Sequence, residues 1–238
     1  MELLRSVLKN LPEFQELTAA LEGGKSPAAV SGLAAVHRAH FAAALGQETG
    51  RPVVVVCADE GEAGRMARDL SYLTGGEVPV LASRSFVFHS IATVSRQWEH
   101  RRLALLWKLR NGELPCLVAT VEALQQRTLP PQVLDSACTV LEPGQQADLN
   151  QLTEALTAAG YVRCDQVEGA GQFALRGGIL DVFSPGMAAP VRAEFWGDEL
   201  DTMGTFDPST QRRTENVDRA VLLPAAETLP QLAHGGLS

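Results

Sequence analysis

No C-x-x-C pair occurs among the 238 residues, whose four cysteines, Cys57, Cys116, Cys138 and Cys164, lie far apart. That spacing excludes the common zinc-binding patterns and favours reduced, buried thiols over metal or disulfide roles. Long apolar runs are missing too. The longest, such as Val53 to Ala58, are far too short to cross a bilayer, and the N-terminal stretch MELLRSVLKNLPEF has no signal-peptide core. The expectation is a cytosolic protein. Positive charge is also scarce, with 20 Lys and Arg against 28 Asp and Glu and a formal net charge of -8. A broad phosphate-binding surface is thereby excluded, because nucleic-acid affinity comes largely from Lys and Arg neutralising backbone phosphates; a local basic patch stays open. What is present, 45% hydrophobic and 20% charged residues, is the composition of a globular chain long enough for one large domain or two smaller ones.

The pattern along the chain falls into four parts. In residues 1–25, Leu3, Leu4, Val7, Leu8, Leu11, Phe14, Leu17 and Leu21 recur near helical spacing and Gly23-Gly24 stop the run, which predicts a helical lead-in over residues 1–22. In residues 26–127 short apolar runs (AAVSGL, PVVVVCA, VPVLA, CLVATV) alternate with helical segments (VHRAHFAAALGQE, EAGRMARDLSYLTG, RQWEHRRLALLWKLRNG, EALQQR). Such alternation needs crossover connections and predicts an α/β domain with a mainly parallel sheet. Pro130-Pro131 then punctuate the chain. In residues 128–218 one helical segment, ADLNQLTEALTAAG, precedes closely spaced strand-like runs joined by Gly, Pro and Asp. That predicts a smaller α+β domain rich in antiparallel hairpins. Residues 219–238 hold a short strand and then thin into a polar end that reads as a cut.

Several features of residues 26–127 and their flank imitate a nucleotide site. Gly24-Lys25-Ser26 has the closing letters of a P-loop, but the first glycine of that motif would fall on Ala19, and the segment follows a helix and precedes an expected strand. VVVVCADE resembles a strand ending in metal-binding acids; with no phosphate-binding lysine in context, Asp59 reads instead as the N-cap of the next helix, with Glu60 and Glu62 in its first turn. His37 and His40 could share a metal, yet no third ligand is apparent, so packed or surface histidines are expected. Trp98 and Trp107 read as core positions. Arg96, His100, Arg101, Arg102, Lys108 and Arg110 form the strongest basic cluster and read as the solvated face of an amphipathic helix. No Ser/His/Asp or Cys/His arrangement with recognisable local context occurs, and no catalytic residue is assigned.

The strand-like runs of the smaller domain carry more. In PVRAEFW the period of two puts Val191, Ala193 and Phe195 on one face and Arg192, Glu194 and Trp196 on the other. An arginine beside a large aromatic on an exposed strand is a pairing enriched in interface hot spots, although Trp196 could equally fold over the edge of the core while Arg192 and Glu194 make a weak surface pair. In FALRGGILDVF, Arg176 falls opposite the apolar pair Phe173 and Leu175, and Gly177-Gly178 permit a tight turn. A single R-G-G between strands is not a repeated RNA-binding box.

GQFALRGGILDVFSPGMAAPVRAEFWGDELDTMGTFDPSTQRR and the following VDRAVLLPAAE resemble the stretch shared by the excision-repair helicase subunit UvrB and the transcription-repair coupling factors (Mfd). Four motifs occur in order: R-G-G-hydrophobic-L-D-hydrophobic-F, P-hydrophobic-R-x-E-F-W-G-D-E, T-F-D-P-x-T-Q-R and L-L-P-A-x-E. SGLAA, VVVVCAD and LRNGELPCLVATVEAL fit the same family in order. UvrB has a P-loop lysine and a tyrosine-rich hairpin; this chain has neither, its only tyrosines being Tyr72 and Tyr161, so the resemblance is to the UvrB-like module of the coupling factors. The resemblance implies a degenerate helicase-like (RecA-like) parallel-sheet domain over 26–127, an inserted UvrA-binding domain over 128–218 and a truncated returning segment over 219–238. It further implies no enzymatic activity and no cofactor in this part, recruitment of the damage-recognition ATPase UvrA, and RNA polymerase and DNA bound by other domains of an ATP-dependent translocase. Carried over by motif, the UvrA-binding residues are Arg176, Arg192, Glu194 and Trp196. Arg176 and Arg192 are expected to pair with acids on UvrA, Trp196 to fill an apolar pocket and Glu194 to set register.

Overall fold

A computed structural model describes residues 7–84 and 96–229. In chain order the elements are α1 (Pro12–Glu22), α2 (Ala35–Thr49), β1 (Val53–Cys57), α3 (Glu60–Thr74), β2 (Val80–Leu81), α4 (Gln97–Arg110), β3 (Cys116–Thr120), α5 (Val121–Gln125), α6 (Pro131–Ala137), β4 (Thr139–Leu141), α7 (Leu149–Ala158), β5 (Val162–Arg163), β6 (Gln172–Arg176), β7 (Ile179–Phe183), β8 (Val191–Trp196), β9 (Glu199–Phe206), β10 (Arg213–Asn216) and β11 (Ala220–Leu222). They divide into two compact units. Of the described residues, 7–84 and 112–127 form the first and 96–111 and 128–229 the second.

In the first unit α1 begins at Pro12, which suits the first turn of a helix because its missing N–H would have had no helical partner there. The lead-in is therefore not one helix across its described part, and its residues 1–6 lie outside the described residues. Gly23 closes α1 by donating its N–H to the Ala19 carbonyl at 3.0 Å. Phe14 packs edge-on to Phe41 of α2, with ring centroids 5.3 Å apart. Strands β1, β3 and β2 form a parallel sheet in that order, and all five residues of the central β3 are buried, as the middle strand of a helix-covered parallel sheet requires. Ala39 on α2 and Ala63, Met66 and Leu70 on α3 share one apolar cluster with Cys57 and Val118 of the sheet. The run AAVSGL, expected as a strand, is not one. Its residues pair with no strand, Val30 is exposed, and Gly32 leaves the extended region at φ +82°.

The second unit is built on a six-stranded sheet of order β10-β9-β8-β7-β6-β5, antiparallel except for the β5–β6 pair. Helix α7, N-capped by Asp148 through the Asn150 and Gln151 amides, buries Leu152 and Leu156 against one face of it. A two-stranded ribbon, β4 with β11, completes the unit.

Two boundaries differ from those expected. Helix α4, placed by the alternation in the parallel-sheet domain, belongs with the second unit. Its Arg102 pairs with Glu227 at 2.7 Å, its His100 Nε2 lies 3.1 Å from the Ala225 carbonyl, and Glu99 accepts the Glu227 amide at 2.7 Å. The segment after residue 218 also joins this unit, because β11 pairs with β4, Ser184 Oγ accepts the Leu223 amide at 2.8 Å, and the Tyr161 hydroxyl donates to the Leu223 carbonyl at 2.6 Å. Sequence periodicity is blind to both, since the partners are side chains and carbonyls 39 to 128 residues apart. Burial pushes the Tyr161 hydroxyl above its ordinary value and the His100 imidazole below its own.

Candidate partner-binding face

The registers of β6 to β9 sort the sheet into two faces. Phe173, Leu180, Val182, Val191, Ala193 and Met203 enter the core under α7. On the opposite face Ala174, Asp181, Arg192 and Gly204 stand in one cross-strand row, and Arg176, Ile179, Glu194 and Thr202 in the next. Gly177 supplies the positive φ of +61° that closes the β6–β7 hairpin, and Gly178 lies so close to β8 that a Cβ there would come within 2.7 Å of the Phe195 carbonyl oxygen.

At the centre of the outer face lies a carboxylate with no solvent exposure, Asp181. Arg192 holds it with two donors, Nε to Oδ1 at 2.7 Å and Nη2 to Oδ2 at 2.9 Å, and Arg176 adds Nη2 to Oδ2 at 2.7 Å. Three charge-assisted bonds satisfy the buried anion. The Arg192 guanidinium also donates to the Gln211 carbonyl at 3.2 Å and stacks over the Phe206 ring at 4.6 Å. The hydrogen bond to Asp181 raises its pKa further, keeping it charged. Gln211 is held by the β9–β10 turn, in which Asp207 Oδ1 accepts from the Ser209 amide and hydroxyl at 2.7 and 2.6 Å and the Gln211 amide donates to the Asp207 carbonyl at 2.7 Å. The Ser209 bonds hold the Asp207 carboxyl below its ordinary range. Three of the four motifs, far apart in sequence, thus meet around Asp181.

The rim of this cluster is open. The Arg176 side chain is 50% exposed against 17% for Arg192, and it borders a shallow cleft of about 280 Å³ with Arg163, Cys164, Asp165 and Leu175. Glu194 pairs with Arg213 at 3.0 Å, and the Arg213 side chain lies across Gly204, where a Cβ would come within 2.4 Å of its Nε. Trp196, opposite Glu199 at the end of β8, is 86% exposed.

Residues 140–227 match the family described as the UvrB interaction domain. The transcription-repair-coupling factor of Bacillus subtilis is 29% identical over 230 residues, 96% of this chain and 20% of that protein. The factor of Myxococcus xanthus is 35% identical over 211 residues, 83% of this chain and 17% of that protein, and the factor of Escherichia coli is 32% identical over 189 residues, 79% and 16% respectively. This chain is a UvrB-like module of the transcription-repair coupling factor family. It spans a fifth or less of the length of these relatives. The matched domain starts in β4 and ends at Glu227, so it contains the whole Asp181 cluster.

Against that family assignment, the residues singled out by sequence separate. Arg176, Arg192, Glu194 and Trp196 do share the outer face. Arg192, expected to pair with acids of a partner, already has its guanidinium engaged by Asp181, Gln211 and Phe206 within the chain. Spacing along the chain does not single out Asp181, Gln211 or Arg213. The available signal for Asp181 was a lone carboxylate in the otherwise apolar run ILDVF; its partners lie 5 and 11 residues away on other strands. The basic helix is corrected in part: Arg96, Arg101, Lys108 and Arg110 are exposed, as a solvated face requires, whereas His100 and Arg102 are buried, and Arg96 donates to the Gly160 carbonyl at 3.0 Å while Arg110 pairs with Asp135.

In the first unit Asp59 caps α3, accepting the Glu62 amide at 2.8 Å, while Glu62 Oε2 accepts the Ala58 amide at 3.1 Å. The Gly24 and Lys25 amides donate to the Leu21 and Ala20 carbonyls, so both are taken up in closing α1. His37 is exposed, and among the described residues no three His, Cys, Asp or Glu side chains gather as metal ligands. Nor is any described helix long and apolar enough to cross a membrane. All four cysteines are free, Cys57 and Cys116 buried and Cys138 and Cys164 half-buried. Burial pushes the Cys138 thiol up to about 12.

Proposed function

We propose that this chain is a non-catalytic docking module that recruits UvrA, within a longer protein that couples nucleotide excision repair to stalled RNA polymerase. The observation that carries the reading is the presentation of Trp196, 86% exposed, on the same sheet face as the half-exposed Arg176. A large bare aromatic costs solubility unless a partner covers it, and arginine and tryptophan are the residue types on which binding energy concentrates. The name of the matched domain and the names of the relatives support the same reading. In it, Arg176 meets a carboxylate of UvrA and Trp196 enters an apolar pocket. Glu194, tied to Arg213, fixes register, and Arg192 works through Asp181.

The first unit is read as a degenerate helicase-like (RecA-like) domain that needs no cofactor, a reading supported by its parallel sheet and by the capping roles of Asp59 and Glu62. RNA polymerase and DNA are assigned to other parts of the longer protein, an ATP-dependent DNA translocase. A DNA-binding or nucleotide-binding helicase-type module draws little support from α4, where Arg102, Arg96 and Arg110 are engaged within the second unit and only Arg101 and Lys108 add exposed charge without a partner among the described residues.

The test is a titration of purified UvrA with this chain and with Arg176→Ala and Trp196→Ala variants. Each substitution is expected to cost about 2 kcal/mol or more, roughly thirtyfold in Kd. Unchanged affinity in both removes the site assignment, and absence of binding by the unsubstituted chain removes the docking reading. ATP hydrolysis by this chain would restore the catalytic alternative.

A further inference from the structure

The outer sheet face poses a question that docking alone does not answer: why a protein would bury a carboxylate with no exposure directly beneath the arginine it presents to a partner. An unpaired buried anion is costly, and apolar residues in place of the whole Asp181–Arg192 pair would be the simpler choice for stability. The geometry divides the labour between the two guanidiniums. Arg192, 17% exposed, takes both oxygens of Asp181 in a two-pronged bond and is itself fixed by Gln211 and Phe206. One positive charge therefore cancels the negative one. Arg176 is joined to the same carboxylate by a single Nη2 bond at 2.7 Å, while its Nε and Nη1 have no partner among the described residues. It keeps its net charge and most of its donors, yet one end of its fork is fixed to a rigid part of the sheet.

We infer that Asp181 is a positioning residue for recognition of an acidic protein surface: neutralised by Arg192, it pins Arg176 in the orientation that meets the partner carboxylate. This rests on the docking function proposed above. The gain is one of preorganisation. A free arginine on a strand samples many rotamers, and ordering such a side chain on binding costs conformational entropy. Fixing one nitrogen beforehand removes part of that cost without occupying the donors that face outward. The chemistry also requires arginine, because a lysine ammonium is a point charge that cannot hold one carboxylate with one end of a planar fork and offer the other end to a second.

A double-mutant cycle on UvrA affinity tests this, using the whole chain with Arg176→Ala, Asp181→Asn and the combination, each first checked for cooperative thermal unfolding. Arg176→Ala is expected to weaken binding roughly thirtyfold and Asp181→Asn about five- to tenfold, with the double variant within about twofold of Arg176→Ala alone. Independent, multiplying effects would overturn the inference, because a merely structural loss at Asp181 would lower affinity whether or not Arg176 were present. So would an Asp181→Asn variant that binds like the unsubstituted chain. If Arg176→Ala itself has no effect, the docking assignment of this face fails instead, so the two failures are told apart. Should Asp181→Asn not fold, Arg176→Lys, at a half-exposed position, takes its place. An approximately tenfold loss with the charge retained supports orientation as the decisive property, and binding within about twofold of the unsubstituted chain overturns it.

Discussion

The two faces of the six-stranded sheet are made by the same strands and obey opposite rules. The face under α7 is filled by Phe173, Leu180, Val182, Val191 and Met203, and any of these contributes through apolar area removed from water. The outer face buries a charge beside a small apolar cluster of Val167, Ala174 and Phe206, and the charge holds only because each atom of Asp181 that could be left unsatisfied has a donor aimed at it. Packing tolerates approximate shape, whereas the polar cluster depends on individual angles and distances. The core face makes the unit stable, and the polar face gives it a particular surface.

The comparison breaks most sharply at Asp181→Ala, which leaves Arg192 buried without its counter-charge. A loss of about 3–5 kcal/mol is expected in urea denaturation, as large as a core truncation although no apolar contact is removed. Leu180→Ala, on the opposite side of the same strand, should cost about 3 kcal/mol by opening a cavity and, in the fraction that remains folded, leave UvrA affinity unchanged. Equal loss of affinity in both variants would show that the faces do not act separately. Trp196→Ala reverses the pattern, with stability within about 0.5 kcal/mol of the unsubstituted chain and the thirtyfold weakening of UvrA binding given above. A Trp196→Ala variant that unfolds early would place that side chain in the fold and not at an interface.

The smallest expected effect concerns the turn that supplies Gln211. The Asp207 carboxyl lies below its ordinary value of 3.8 because the Ser209 hydroxyl and amide donate to it. Its contribution is therefore complete above that ordinary value and is lost as pH falls through the still lower folded value. Asp207→Asn should flatten the acid side of a plot of urea midpoint against pH, and an unchanged acid limb would remove this carboxyl as a contributor.

Much of this was legible in the residues. Period-two alternation assigned Arg176, Arg192, Glu194 and Trp196 to one face because β-strand side chains alternate wherever the backbone is extended, whatever surrounds it. Asp59 was legible as a cap because a cap is made within four residues. The strand expected at AAVSGL failed for the complementary reason: a short run of small residues satisfies a strand pattern locally, but a strand exists only with a partner to pair with.

By itself, then, the sequence determined most of the elements, the side of each of those strands that faces the core, and the ordered motifs that tie the chain to its family, all of them matters of neighbours in the chain. Only the tertiary structure decided that α4 and the segment after residue 218 belong with the antiparallel sheet, and that Arg192 points to Asp181 while Arg176 still faces outward. The physical reason is that a charged side chain is defined by its counter-charge and its access to water. Those are set by strand order and register across the sheet, which one-dimensional spacing does not contain.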